Sequence, residues 1–330
     1  MPRLEEVKRV SAARLGYLTR VTGDVLALRA LGIGDLLVAV PALRGLRRAF
    51  PDRRVALAAP AWLADLVPLT GAVDRLVPTS RLGALDWPGP GPSVAVNLHG
   101  AGPESVADLV ATNPGRLLAH RHDAFPGLDG PEWHEDTHER ERWCHLLEWY
   151  GIAADPDDLA LERPAVPSPA PGAVVVHPGA SVPPRRWPVE RFAEVAKELA
   201  AAGHRVVVTG SDREHALTSA VAAGAGLPES AVLAGRLGLG DLAALVADAA
   251  LVVSGDTGPG HLATAYGTPS VLLFGPTPPD RWGPPAGRPH AVLWAGVLGD
   301  PFGDTVHEGL LALTARDALD AAERVLSARS

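Results

Sequence analysis

Short apolar runs alternate with amphipathic segments along most of the chain, and this alternation constrains the fold more than any other feature of the sequence. The first apolar run, Val25–Leu28, is followed by helical periodicity over residues 35–50. Strands that alternate with helices in this way predict a parallel β-sheet covered by helices on both faces. Further strands of the first half are predicted at residues 55–58, 76–77, 94–97 and 116–119, and a helix is predicted at 137–150.

The same alternation restarts after a proline-rich stretch, so a chain of 330 residues is expected to hold two α/β domains. Five prolines lie among small and polar residues between positions 156 and 171, which is typical of a stiff linker. We expect an N-terminal domain over residues 1–152, a linker over 153–172 and a C-terminal domain over 173–330. In the second half, strands are predicted at 174–176, 206–209, 232–233, 251–254 and 271–274, and helices at 189–202, 213–223, 241–248, 259–266 and 315–328.

The last of these helices has the clearest start in the sequence. Thr314 is its predicted N-cap, and Asp317 stands three residues further on, as in a capping box. This helix is also a candidate to pack back on the N-terminal domain.

Charge and cysteine content exclude several classes of protein. The chain carries 30 Lys and Arg against 38 Asp and Glu, a net charge of −8, so a protein-wide basic surface for nucleic acid is excluded. The single cysteine, Cys144, excludes an internal disulfide and a thiolate zinc cluster. No run of eighteen apolar residues occurs, and the first twenty residues hold no apolar run long enough for a signal peptide. We expect a cytoplasmic protein without a transmembrane segment, while peripheral contact with a membrane stays open.

A glycine-rich turn is predicted where one strand of the second half ends, in the sequence SGDTGPGH at residues 254–261. Two facing α/β domains leave a cleft between the carboxyl ends of their strands, where ligands of open sheets bind. Glycines let the backbone approach a ligand there, and the amide groups at the start of a helix attract anions. A plain turn with an N-cap would explain Asp256 or Thr257 alone. The combination of Asp256, Thr257 and His261 favours a ligand site.

A second anion site is predicted after the strand at 174–176, where an HPGAS sequence ending at Ser181 precedes an RRWP sequence. The Ser181 hydroxyl and the guanidinium groups of Arg185 and Arg186 are expected near the start of a helix, as in a phosphate site. Paired arginines in a chain of net negative charge indicate a local anion. The alternative is a solvated arginine pair, and we expect Trp187 itself to be a core residue.

The turn after the first strand has the sequence GIGD and ends at Asp35. It resembles the start of a dinucleotide-binding fingerprint, but Leu37 stands where that pattern has its third glycine. The turn instead presents the Asp35 carboxylate at the start of a helix. A dipole-stabilised aspartate without a further role is the alternative interpretation.

Residues 134–138 have the sequence HEDTH, a formal match to the zinc-protease pattern H-E-x-x-H. That pattern requires a helix that places both histidines on one face, and a third ligand downstream. Gly130 and Pro131 lie just upstream, so chance in a histidine-rich loop explains the match better. The DPDD sequence at 155–158 lies in the linker, away from any strand end. We therefore expect no metal site.

Taken in order, these motifs resemble glycosyltransferase family 9, which includes the ADP-heptose:lipopolysaccharide heptosyltransferases. Each piece alone is weak, whereas their joint order is specific. The matching pieces run from residue 25 to 285: Leu28-Arg29, Gly34-Asp35, Pro41-Ala42-Leu43-Arg44, the HPGAS turn, Arg186-Trp187-Pro188, Arg191-Phe192, Gly255-Asp256-Thr257-Gly258-Pro259, His261-Leu262-Ala263, Gly267-Thr268-Pro269, Phe274-Gly275-Pro276-Thr277 and Trp282-Gly283-Pro284.

The resemblance implies a GT-B architecture, an α/β fold in which two Rossmann-like domains with parallel sheets face a central cleft. It implies an inverting transfer of a sugar, with ADP-heptose as the default donor, to a hydroxyl group of a glycan or small glycoside acceptor, as in lipopolysaccharide core biosynthesis. The donor would bind the C-terminal domain and the acceptor the N-terminal domain, with no cofactor and no obligatory metal.

The resemblance also implies roles for single residues. Asp35 is the expected general base, supported by Gly34. The expected donor-binding residues are Ser181, Arg185, Asp256, Thr257, Gly258 and His261, with Gly179 and Arg186 in support. A nucleotide-sugar 2-epimerase and a non-catalytic nucleotide-sugar binding protein stay as alternatives.

Three features depart from the family pattern. Arg185 stands where the family usually has lysine, which keeps the charge but replaces a point charge by a planar fork. Gly255 and Gly260 are small, so a roomier donor pocket is expected. Residues 286–312 match the pattern poorly and receive no role.

Overall fold

The computed structural model describes residues 22–328, and the chain divides into two compact units, of which the first ends at Glu162 and the second begins at Arg163. This division falls inside the proline-rich stretch at 153–172. Asp158 in that stretch accepts hydrogen bonds from Arg44 and Arg48, which lie on the first helix, so the early part of the stretch belongs to the first unit. Residues 1–20, from which the lack of a signal peptide is expected, lie outside the described residues. Within residues 22–328, no helix has the length and apolar character needed to cross a membrane.

The first unit is built on a five-stranded parallel sheet with the strand order β3-β2-β1-β4-β5. Its central strands are buried on both faces, as parallel strands between helices should be. Leu26, Ala56 and Ala95 form one side of the core, together with Leu109. The strands are β1 Val25–Leu28, β2 Val55–Ala59, β3 Arg75–Pro78, β4 Val94–Asn97 and β5 Leu117–Leu118, and the helices are α1 Ile33–Ala49, α2 Glu104–Ala111 and α3 Glu139–Trp149.

The second unit holds another five-stranded parallel sheet, with the order β10-β9-β8-β6-β7. Trp187 is 2% exposed and packs edge-to-face on Phe192, which confirms it as a core residue. The strands are β6 Val174–His177, β7 Val206–Val208, β8 Leu251–Gly255, β9 Ser270–Phe274 and β10 His290–Trp294. The helices are α4 Val189–Ala201, α5 His215–Gly224, α6 Leu239–Ala247, α7 Gly258–Tyr266, α8 Pro279–Trp282, α9 Glu308–Ala312 and α10 Ala315–Ser327. The last helix, α10, packs on α4, β9 and β10 of its own unit.

The strand order reverses once in each sheet, between β1 and β4 in the first unit and between β6 and β8 in the second. At such a point the two loops leaving the carboxyl ends of neighbouring strands run to opposite sides of the sheet and leave a crevice. Ligands of open α/β sheets bind in this crevice. The fold therefore singles out the loops after β1, β4, β6 and β8 before any side chain is considered.

The structure corrects several predicted boundaries. Helix α1 begins at Ile33, so Gly34 lies in its first turn and not in a loop. The strand predicted at 232–233 is one isolated bridge between Val208 and Val232, because a 3-10 turn ends at Ala231 and the chain turns again at once. Helix α2 and strand β10 were not predicted. Both are short, and β10 lies in the segment that matches the family pattern poorly.

Candidate functional site

The Asp35 side chain lies at the reversal point of the first sheet, in the first turn of α1. Its Oδ2 accepts a hydrogen bond from the amide of Gly32 at 3.1 Å, and its Oδ1 lies 3.2 Å from Nη2 of Arg29. The side chain is 28% exposed, so the carboxylate has one open side. An oriented and accessible carboxylate at this point can accept a proton from a bound hydroxyl group.

Arg29, at the end of β1, is the buried partner of Asp35. Its side chain is only 1% exposed. Its Nε donates to the backbone oxygen of Asp35 at 2.7 Å, its Nη1 donates to the carbonyl oxygen of Leu98, and its Nη2 lies 3.3 Å from Oε2 of Glu139. The ring of Trp143 lies 4.8 Å from the guanidinium carbon. Arg29 thereby connects the start of α1 with the end of β4 and the start of α3.

His99 enters the same site from the end of β4. The amide of Ala30 donates to its Nδ1 at 3.2 Å, and its own amide donates to Oδ1 of Asn97 at 3.1 Å. Burial lowers the pKa of His99, and the charge of Arg29 lowers it further, against the opposite effect of Asp35. The imidazole is therefore neutral near pH 7, and because its Nδ1 accepts a hydrogen bond, we assign its proton to Nε2.

The second cluster begins at the turn after β8. Thr257 is the N-cap of α7, and Gly258 is the first residue of that helix. Pro259 occupies the first turn, where its missing N–H group removes no hydrogen bond. Amide groups in the first turn of a helix have no acceptor within the helix, and together with the helix dipole they favour an anion at this end.

Asp256 lies in this turn between two cationic or protonatable partners. Its side chain is 5% exposed; its Oδ1 lies 3.3 Å from Nε2 of His261 and its Oδ2 lies 3.5 Å from Nη1 of Arg185. Two polar atoms of this cluster, Oδ2 of Asp256 and Nε of Arg185, are buried without a hydrogen-bond partner. Buried polar groups normally have such partners, so these atoms fit a site that is completed by a polar ligand. His261 also meets the edge of the Trp282 ring at 6.0 Å.

The turn after β6 supplies the other predicted residues of the second unit. Arg185 ends a short 3-10 turn, Pro183–Arg185, ahead of α4, whereas Ser181 and Arg186 are exposed. The Nε of Arg186 donates to the carbonyl oxygen of Ala180 at 3.0 Å, so this side chain braces the turn.

Gly179 lies against Glu214, a carboxylate that the sequence analysis did not single out. A Cβ atom at position 179 would lie 2.1 Å from Oε1 of Glu214, so a larger residue there would require the Glu214 side chain to move. The other carboxylate oxygen of Glu214 accepts hydrogen bonds from the amide and the hydroxyl of Ser211, both at 2.8 Å. A fixed carboxylate therefore stands beside the predicted anion-binding turn.

The structure brings Arg185, Asp256 and His261 into direct contact at the second reversal point, with Thr257 and Gly258 at the adjoining helix start. Asp35 lies in the separate cluster of the first unit. Four polar residues of these clusters, Arg29, His99, Glu139 and Glu214, received no role in the sequence analysis. Their only signal in the sequence is their place just after a strand or at the start of a helix, and this signal becomes readable once the strand order is known.

The expectation of a roomier donor pocket at Gly260 is wrong. A Cβ atom there would lie 2.9 Å from Cδ2 of Leu272 and 3.0 Å from Oγ of Ser254, both in the sheet beneath α7. The small residue lets the helix pack closely on β8 and β9. At Gly255 a Cβ atom would lie 3.3 Å from the carbonyl oxygen of Arg185, so that position is also closely packed.

The H-E-x-x-H match at residues 134–138 does not lie in a helix. His134 precedes a turn that begins at Glu135, and His138 is the N-cap of α3, where its Nδ1 accepts a hydrogen bond from the amide of Arg140 at 3.3 Å. The two histidines therefore lack the helical spacing that the zinc pattern requires. Within the part of the chain that the structure describes, no group of three or more His, Cys, Asp or Glu side chains is placed to hold a metal ion.

Solved structures with the same fold are known. The Escherichia coli ADP-heptose lipopolysaccharide heptosyltransferase II superposes with a TM-score of 0.73 at 22% identity, over 93% of this chain and 99% of that one. A glycosyl transferase family 9 protein from Veillonella parvula DSM 2008 superposes with a TM-score of 0.74 at 21% identity, over 93% of this chain and 98% of that one. The E. coli heptosyltransferase WaaC with ADP superposes with a TM-score of 0.68 at 20% identity, over 92% of this chain and 99% of that one. The α/β fold of this chain is thus that of the GT-B glycosyltransferases, as predicted.

The sequence also matches a family model over part of its length. The model for glycosyltransferase family 9 (heptosyltransferase) matches residues 148–297, which span the second sheet and both of its predicted anion-binding turns. The resemblance stated from the motifs is confirmed over this region, which covers 150 of the 330 residues (297 − 148 + 1). No curated protein sequence matches the chain.

Proposed function

We propose that this protein transfers a sugar, with inversion, from a nucleoside diphosphate sugar to a hydroxyl group of a glycan or small glycoside, and that the donor is ADP-heptose. The observation that carries the proposal is the pair of unlike clusters at the two reversal points. The first unit offers an accessible carboxylate at Asp35, and the second offers Arg185 beside the start of α7. A carboxylate suits an acceptor hydroxyl, and a guanidinium with helix amides suits a diphosphate.

The chemistry follows from these groups. The oxygen of the acceptor hydroxyl attacks the anomeric carbon from the face opposite the nucleotide. Asp35 accepts the proton of that hydroxyl during the attack. A new bond forms between this oxygen and the anomeric carbon, and the bond from that carbon to the diphosphate oxygen breaks. Its electron pair leaves with the nucleoside diphosphate. Arg185 and the amides around Thr257 and Gly258 stabilise the developing negative charge.

The remaining residues of the second cluster hold the donor in place. Asp256 orients Arg185 and His261, and it leaves a buried oxygen for a sugar hydroxyl. Ser181 adds a hydroxyl from the turn after β6, and Gly179 keeps that turn clear for Glu214. A carboxylate fixed beside a phosphate site accepts hydrogen bonds from ribose hydroxyls in other open α/β sheets, and Glu214 is assigned this role.

A panel of donors tests the proposal. Thermal shift with ADP-, GDP-, UDP- and dTDP-sugars should give the largest stabilisation with ADP-heptose. Incubation of that donor with lipopolysaccharide core fragments and small glycosides should yield a product one heptose heavier, and NMR should show the opposite anomeric configuration. An epimerised sugar formed without acceptor, or donor binding without turnover of any acceptor, would contradict the proposal.

The proposal keeps the expectations of a cytoplasmic reaction and of no cofactor or metal. Dialysis against EDTA should leave the transfer rate unchanged. A rate that falls on dialysis and returns with one added metal would contradict this part, while leaving the sugar transfer itself in place.

A further inference from the structure

We propose that Arg29 and Glu139 are positioning residues for the Asp35 carboxylate, and that Glu139 keeps Asp35 an effective base by sharing Arg29 with it. The inference deepens the proposed function, because it rests on Asp35 acting as the base. Neither Arg29 nor Glu139 needs to touch a substrate in this arrangement.

The geometry shows one cation shared by two carboxylates. Nη2 of Arg29 lies 3.2 Å from Oδ1 of Asp35 and 3.3 Å from Oε2 of Glu139. The side chains are 1% exposed for Arg29, 13% for Glu139 and 28% for Asp35. Of these three groups, Asp35 is therefore the one most open to a substrate, and Arg29 is hidden behind it.

The Glu139 carboxylate is fixed in position by several hydrogen bonds. Its Oε1 accepts a hydrogen bond from Nε of Arg142 at 3.0 Å, and its Oε2 accepts one from Nε1 of Trp143 at 3.1 Å in addition to Arg29. Three donors from three residues fix its carboxylate at the start of α3. Arg29 is fixed in turn by the carbonyl oxygen of Leu98.

This arrangement fits a group that gains and loses a proton. A buried guanidinium whose only anionic partner became neutral would be strongly disfavoured. When Asp35 takes a proton from the acceptor, Arg29 keeps Glu139 as its anionic partner. The free-energy cost of protonating Asp35 is therefore low. Without Glu139, protonation of Asp35 would leave Arg29 unpaired, and Asp35 would be a weaker base.

The other charged and titratable groups around this cluster do not reverse the effect of Glu139 on the basicity of Asp35. His99 faces it from the end of β4 and is neutral near pH 7, Asp108 acts on His99 from α2, and Arg142 faces Glu139 from α3. Removal of the Glu139 charge leaves Asp35 in a more positive environment. The ionised form of Asp35 is then favoured.

Two variants and a matched control test the inference. Glu139→Gln is nearly isosteric; it removes the charge and replaces one acceptor oxygen by an amide donor. Arg29→Lys keeps the charge and removes the fork that bridges the two carboxylates. Arg44→Lys is the control, because Arg44 is also a partly buried arginine of the first unit that binds a carbonyl group and a carboxylate. Asp35 is followed by carbon NMR of its labelled carboxyl group, assigned with Asp35→Asn, and by the pH dependence of transfer.

In Glu139→Gln the titration midpoint of Asp35 and the acidic limb of the pH–rate profile should both move to lower pH. The maximal rate should fall ~10-fold, and in Arg29→Lys by ~10- to 100-fold, because small displacements of a reacting group have effects of this size. Donor affinity measured by calorimetry should stay unchanged in both variants. Arg44→Lys should change neither titration nor rate.

A folded Glu139→Gln protein in which the Asp35 carboxyl titrates as in the wild type would overturn the inference. So would a moved titration with an unmoved pH–rate profile. A merely structural role would lower the rate through lost stability and leave the titration in place. Because NMR titration needs no substrate, a wild-type protein that transfers no sugar would refute the proposed function, while the coupling of Glu139 to Asp35 would still be decided.

Discussion

Nε2 of His261 lies 3.3 Å from Oδ1 of Asp256, and on its other side the same carboxylate faces Nη1 of Arg185 at 3.5 Å. One buried carboxylate thus orients two side chains that come from different strand ends. Residues that share a partner in this way act as a unit, so their removal should not be additive.

We expect Asp256→Asn and His261→Ala each to weaken ADP binding by ~10-fold, since each disrupts the contact between His261 and the charged Asp256 carboxylate. The double variant should bind no more than a few fold more weakly than either single variant. Isothermal calorimetry measures all three, with Asp280→Asn at an exposed position of α8 as control. Losses that simply multiply would show that the two residues act independently.

Asp35→Asn should lower the turnover number by ~10²- to 10⁴-fold, because the amide cannot accept the acceptor proton. ADP binding should persist, since Asp35 lies in the first unit and the donor is assigned to the second. The matched control is Asp52→Asn, an exposed aspartate of the same unit. Full activity of Asp35→Asn in steady-state assays would remove Asp35 from the mechanism.

Arg185→Ala should lower the affinity for the donor. Loss of a charged hydrogen-bond partner of a diphosphate is expected to weaken donor binding by ~10- to 100-fold. Arg185→Lys should recover part of that loss, because a lysine keeps the charge but not the fork. Arg316→Ala on the exposed face of α10 is the control. Unchanged calorimetric affinity in Arg185→Ala would exclude Arg185 from the donor site.

The sequence predicts much of the fold because the strongest signals are local. The run VVVH of β6 and the pair of Thr314 and Asp317 at α10 follow from propensity and capping alone, and the structure confirms both. The glycine-rich turn before α7 is local in the same sense. Helix α9 has only five residues, which is too short for a helical period to be recognised.

The sequence predicts part of the candidate site, because some of its residues also carry a local signal. Asp35, Arg185 and Asp256 stand out because each lies in a turn with a recognisable sequence. His99 and Glu139 stand 64 and 104 positions after Asp35 in the chain (99 − 35 and 139 − 35). They join its cluster by contacts with Ala30 and Arg29, which exist only once β4 lies beside β1 and α3 is in place. The tight packing at Gly260 is equally invisible in the sequence, because it depends on Leu272 of a later strand.

Trp187 separates a structural role from a binding role within one motif. Its ring meets Phe192 at 4.9 Å, and its Nε1 donates to the carbonyl oxygen of Leu313 at 3.0 Å. Trp187→Ala should therefore lower the free energy of unfolding by about 3–5 kcal/mol. Trp62→Ala, at a side chain that is 54% exposed, should change it by less than about 0.5 kcal/mol. Urea unfolding measures both, and equal losses would contradict the core assignment.

The stability of the first unit should depend on pH through His120. Its side chain is 3% exposed and packs edge-on against Trp133 and Trp143. Burial, with smaller effects of Arg142 and His134, lowers the pKa of His120 from 6.5 to about 4. Between these two pH values the unfolded chain binds a proton that the folded chain does not, so stability falls as pH falls, by up to about 3 kcal/mol.

Above pH 6.5 the imidazole of His120 is neutral in both states, and below pH 4 it is protonated in both, so its contribution is confined to this window. Urea unfolding at pH 7.5, 5.5 and 4.5 should show a shallower fall of stability in His120→Gln than in the wild type. His145→Gln, an exposed histidine of α3, is the control and should keep the wild-type slope. His290 contributes in the same direction in every variant, because burial also lowers its pKa to about 4. Equal slopes in His120→Gln and the wild type would mean that His120 takes up its proton in the folded protein as readily as in the unfolded chain.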